Sequence, residues 1–236
     1  MKLDWIHIPM YNTLMSVAAG VGLLLLVMFG RDILNRRKFS AEGYSLAFGA
    51  LGVILFTMGL HMSLTWPIAR IAPYDNFMFG EPSVAFGAML LAASVYLWKR
   101  GATLEVAGSS DASEMGDREA GDLARLVLPT SLFAAAMGLV CFAIAAAGWK
   151  WTLWAAPPQE PISGNFANHP LLEATFISLL YVGVGIGAVL LPVLLLTRKR
   201  AIAFLIGLSW TLAGVGFTFF GALNYFTHTG LIIHTS

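Results

Sequence analysis

Cysteine is nearly absent: Cys141 is the single one in 236 residues. That excludes an internal disulfide framework and any multi-cysteine zinc or iron–sulfur centre. Charge is scarce too, at 11% of residues against about 25% in an ordinary soluble domain. The formal net charge is only +1, so the chain offers no strongly basic face to a nucleic acid. No Walker A or dinucleotide-binding glycine motif is present. Cys141 sits in the apolar run Leu139-Val140-Cys141-Phe142, a setting in which a thiol is inert as a nucleophile.

What is there instead is apolar surface: 58% of residues are hydrophobic and the mean hydropathy is +0.75. A soluble chain of this length lacks the interior volume to hide that much. The sequence therefore describes an all-α integral membrane protein. A hydrocarbon core needs about 20 apolar residues of helix per crossing, and six stretches qualify: residues 11–29, 44–66, 82–98, 126–147, 170–196 and 201–226. Residues 101–122 are rich in Gly, Ser, Asp and Glu and are expected to form a mobile linker. The first ten residues lack the pattern of a cleaved signal peptide.

Arg31, Arg36, Arg37 and Lys38 follow the first stretch directly, which places the N-terminus outside by the positive-inside rule. Alternation then puts eleven basic residues inside and three (Lys2, Arg70, Lys150) outside, with both termini outside a plasma or inner membrane. Trp5, Trp66, Trp149, Trp151 and Trp154 fall at the outer boundary and Trp98 at the inner one, as aromatic belts require. Gly207, Gly214 and Gly221 recur by seven, a pattern for close helix packing. The segment from Ser45-Leu46 to Glu81-Pro82 also looks like that from Ser131-Leu132 to His169-Pro170, a reading that makes Glu81 and His169 equivalent.

All five histidines map to the outer side. His61 lies in an otherwise apolar or small segment, so its imidazole is expected to find a partner inside the bundle; ionisable groups at that depth mark functional pathways. A hydrogen bond to a neighbour such as Thr57 is the plainer alternative. Glu81 precedes Pro82, which reads as the first residue of the third span. His169 and Glu173 are four residues apart on one helix face, where they can chelate a metal or the carboxylate can orient the imidazole. His228 lies at the outer end of the sixth span. Together His61, Glu81, His169, Glu173 and His228 suit a copper or iron ion. His61 and His228 are alternatively an axial pair for haem b.

The run Trp66-Pro67 followed by Tyr74-Asp75-Asn76-Phe77-Met78-Phe79-Gly80-Glu81-Pro82 resembles a bacterial and archaeal membrane family classed as a domain of unknown function. The resemblance is clearest over residues 44–100 and implies a small multi-span protein without an assigned activity. The expectation is thus a membrane oxidoreductase or electron-transfer subunit with an outer-face metal or haem site. The alternative is a non-enzymatic accessory subunit of a larger respiratory or oxidase complex. The bilayer is its environment, with membrane-protein partners or further copies of itself as neighbours and no nucleic acid.

Overall fold

The computed structural model describes residues 12–68, 72–109 and 113–235. Among them every long element is a helix: α1 (Leu14–Leu34), α2 (Ala41–Thr65), α3 (Asp75–Ser109), α4 (Ser113–Trp151), α5 (Pro170–Thr197) and α6 (Arg200–Thr235). All six contain stretches long and apolar enough to cross a membrane, and the protein is a multi-pass membrane protein. A short 3-10 helix, Ser163–Phe166, lies between α4 and α5.

Local chemistry sets several boundaries. Ser40 caps α2, its hydroxyl accepting from the Gly43 amide at 3.1 Å. Pro170 opens α5, where its missing N–H costs nothing. Two expectations are corrected. Residues 101–109 continue α3 and 113–122 open α4, so most of the expected linker is helical; Glu114, Arg118, Glu119 and Ala120 are ordinary helix formers. Residues 110–112 lie outside the described residues. Pro82 does not open α3 but sits two turns inside it, after a start at Asp75. Proline there leaves the Met78 carbonyl without its helical donor, and the Tyr181 hydroxyl of α5 supplies one at 2.9 Å.

The helices associate as three antiparallel pairs, α2 with α3, α4 with α5 and α6 with α1. One device recurs in each. A Cβ placed on Gly87, Gly185 or Gly20 would stand 2.9, 2.9 or 2.5 Å from the carbonyl oxygen of Gly52, Gly138 or Gly214 respectively. The reciprocal approaches are 3.0, 3.0 and 2.9 Å. Small residues repeat by seven from these points, as Ser45-Gly52-Gly59 and Gly80-Gly87-Ser94 on α2 and α3. There the Ser45 and Ser94 hydroxyls each donate to the other's backbone carbonyl, at 2.9 and 2.7 Å. The chain-terminal pair α6–α1 closes a ring in which the pairs follow one another around a central space.

Antiparallel pairing gathers Arg31, Arg36, Lys99, Arg100, Arg125, Arg198, Lys199 and Arg200 at one end of the bundle, here the basic end. The connection between α4 and α5 covers the opposite end, here the lid end.

The glycine contacts give a matched test. Gly87→Ala and Gly185→Ala must push backbone apart and are expected to destabilise the bundle by about 1–3 kcal/mol. Gly30→Ala gains the same helix propensity with nothing within 4 Å of its new methyl, and should not. Unfolding midpoints of the purified variants in detergent check this; equal midpoints would remove the glycine contacts as the organising device.

Candidate functional site

The ring surrounds a partly open cavity of about 690 Å³ that runs nearly the full depth of the bundle. Its walls come mainly from α1, α3, α4, α5 and α6, with Phe48 alone from α2. Positions four residues before the three contact glycines face it alike: Ser16, Ser83 and Tyr181 precede Gly20, Gly87 and Gly185, and all three line the space. The walls are overwhelmingly apolar. Several polar lining groups are already engaged: Ser16 donates to the Phe217 carbonyl (2.7 Å), Ser131 to Leu128 (2.7 Å) and the Trp210 indole to Val184 (3.1 Å).

Aromatic rings roof the lid end. Phe79, Trp154 and Tyr181 stack on one another with centroids 6.0–6.4 Å apart, and Phe217 meets Tyr181 edge-on at 5.9 Å. Trp154 is carried by the lid and held by its indole N–H, which donates to Asp75 of α3 at 2.9 Å. Two residues on, the Ala156 amide donates to Glu173 of α5 at 2.6 Å. Asp75 and Glu173 stand in like places, each twelve residues ahead of its helix's contact glycine, Gly87 or Gly185. That register replaces the expected equivalence of Glu81 with His169. The lid backbone has a positive φ at Thr152, Trp154 and Ile162, conformations that persist only where the surroundings over-determine them.

Two contacts from α6 complete the lid. The Glu160 carboxylate lies 3.8 Å from His228 Nε2, both side chains being largely buried, and the His234 ring meets the Gln159 carbonyl at 2.9 Å. Burial pushes the Glu160 carboxyl above its ordinary range, with the neighbouring Thr227 hydroxyl acting in the opposite sense. Among the described residues, His228 Nδ1 and Ser178 Oγ are buried without a hydrogen-bond partner.

The five residues expected to form one metal centre do not converge. His61 faces outward from α2 rather than into the bundle, and Glu81 and His169 are likewise exposed. Gly59 and Gly80 take the inward positions of that helix contact, which turns His61 and Glu81 to the outside of the pair. Glu173 accepts from the Ala156 amide, and the imidazole of His228 lies nearest Glu160, at 3.8 Å. Among the described residues no group of three or more His, Cys, Asp or Glu is placed to hold a metal ion. The haem b pair fits no better, because α2 and α6 are not packed neighbours and neither His61 nor His228 lines the cavity. Trp154, Asp75 and Tyr181 carry the roof instead. A signal for Asp75 existed in the sequence, its matched spacing with Glu173 from a glycine, but that spacing has meaning only once the glycine contacts are known.

The chain belongs to the family described as protein of unknown function DUF981, whose family model matches residues 9–230. The resemblance read from residues 44–100 thus extends over nearly the whole chain. No curated protein and no solved structure matches it.

The buried Glu160 predicts a pH-dependent lid. A carboxyl whose value is raised in the closed lid holds a proton that the released lid gives up, so closure is favoured at low pH. Closure then weakens as pH climbs from the ordinary value of 4.5. Corrected for intrinsic rates, the hydrogen-exchange protection of residues 157–168 in the parent relative to Glu160→Gln should fall as pH rises from 4.5, which isolates the Glu160 contribution from that of the other lid groups. Equal slopes would remove Glu160 as the cause.

Proposed function

We propose that this protein is a membrane-embedded binding protein for a lipid-soluble small molecule, held in the cavity between the helix pairs. The observation that carries this reading is the cavity itself: about 690 Å³, within the roughly 300–1,000 Å³ of ordinary ligand and cofactor sites. Such walls offer an apolar molecule dispersion contacts at close range and expose few polar groups that would need water. The basic end faces the cytoplasm in this reading, as the charge asymmetry of the helix ends requires, and the lid and both termini lie outside. The chemistry is binding and presentation rather than metal-centred redox, because the imidazoles and carboxylates are spent on lid contacts or turned outward.

An accessory role in a larger membrane complex is the second reading. His61 and Glu81 share the outward surface of the α2–α3 pair at the depth where Gly59 meets Gly80. Polar groups on that surface suit contact with another membrane protein better than contact with acyl chains.

The cavity reading predicts that protein purified in mild detergent carries an apolar molecule detectable by solvent extraction and mass spectrometry. Ala134→Phe and Ala93→Phe, which project a ring into the space, should weaken binding of a neutral environment-sensitive dye by about tenfold or more, equivalent to about 1.4 kcal/mol. Leu205→Phe, on the outward surface of α6, should not. Equal dye affinity in all variants would overturn the reading.

A further inference from the structure

We infer that the occupant of the cavity is an anionic amphiphile, its tail between the helix pairs and its carboxylate or phosphate head at Arg198. This rests on the cavity reading above and goes further, by assigning the ligand a charge and a direction. Among the residues lining the cavity, Arg198 is the one with a permanent charge. It stands at the basic end, together with Leu34 and Leu126, which are exposed there. At the opposite end the lining includes Phe79 and Tyr181, with Trp154 stacked on both. A head group therefore has one charged place to go, and the tail runs from there toward the aromatic roof.

Arg198 is built into that position. It ends α5 in a left-handed conformation (φ 52, ψ 26) with its amide donating to the Leu194 carbonyl at 2.7 Å. Its guanidinium lies against Gly121 of α4, where a Cβ would come within 2.9 Å of Nη2. Arg198 makes no ion pair with any described residue. The polar lining groups Ser16, Ser131, Tyr181 and Trp210, in contrast, all donate to backbone carbonyls. The planar guanidinium presents parallel donors that match carboxylate and phosphate oxygens.

The test uses the full-length protein in nanodiscs of a zwitterionic phosphatidylcholine and three probes of equal chain length: hexadecanoate, hexadecyl phosphate and hexadecanol. Each displaces the neutral dye. Wild-type protein should bind at least one anionic probe about tenfold or more tighter than the alcohol, as a charge-assisted contact implies; which one it prefers identifies the head group. Arg198→Gln should lose that preference and keep its affinity for hexadecanol and the dye, while Lys199→Gln, outside the cavity lining, should keep it. A wild-type protein that ranks the alcohol with the anions overturns the inference and leaves the cavity reading standing. So does an Arg198→Gln protein that still prefers the anion. Failure of the dye and all three probes to bind overturns both.

Discussion

Backbone-to-backbone contact at the three glycine pairs is the constraint from which the rest of this structure follows. Acyl chains are as apolar as leucine, so helices in a bilayer gain nothing by hiding apolar side chains from lipid; close packing must hold them together. Gly52 with Gly87, Gly138 with Gly185 and Gly214 with Gly20 bring the axes close enough for dispersion to act between main chains. Repeating small residues by seven keeps each contact on one side of both helices, at the cost of a slight mutual winding. Once the small faces are spent inside the pairs, larger side chains such as Phe86, Leu90 and Trp210 are left to meet between them. They do not fill the centre. The cavity is what remains when three tight pairs are arranged in a ring.

Its roof depends on a defect in the backbone. Pro82 takes a donor away from the Met78 carbonyl, and an unpaired carbonyl in a membrane interior is costly. Tyr181 repairs it from the neighbouring pair, which fixes the phenol ring and gives Phe79 and Trp154 a surface to stack on. Trp154 then draws the lid down to Asp75. One proline thus couples the α2–α3 pair, the α4–α5 pair and the lid, although none of these contacts is local in sequence.

The six helices were legible because composition and hydropathy do not depend on tertiary context. Their ends were less so. Asp75 to Glu81 looked like connection because Pro82 resembles a helix start, and residues 101–122 looked unstructured because a polar helix extending from an apolar one has no apolar periodicity to announce it. The polar residues misled for a different reason. Apolar neighbours suggest an inward-facing His61, but in a bilayer apolar neighbours also mark the lipid-facing side, and Gly59 takes the inward position. Glu173 is read from its spacing to His169 as a metal ligand or an orienter of the imidazole, whereas the contact it makes is to the Ala156 amide, a group that no side-chain motif records.

The two ends of the cavity differ in how firmly they are closed, and this bears on what kind of binding protein the ring can be. A carrier that alternates access must open both ends in turn. At the lid end that would mean breaking the ties from Asp75, Glu173, His228 and His234, which come from three helices belonging to all three pairs. It would also separate the stacked rings and release a backbone held at positive φ at Thr152, Trp154 and Ile162. At the basic end the lining reaches exposed side chains at Leu34, Leu126 and Arg198, and no described residue ties these together as the lid contacts do. Exchange through that end alone requires no lid contact to break. In the proposed binding reading, a roof tied to all three pairs favours exchange at the basic end over a carrier that opens both ends in turn.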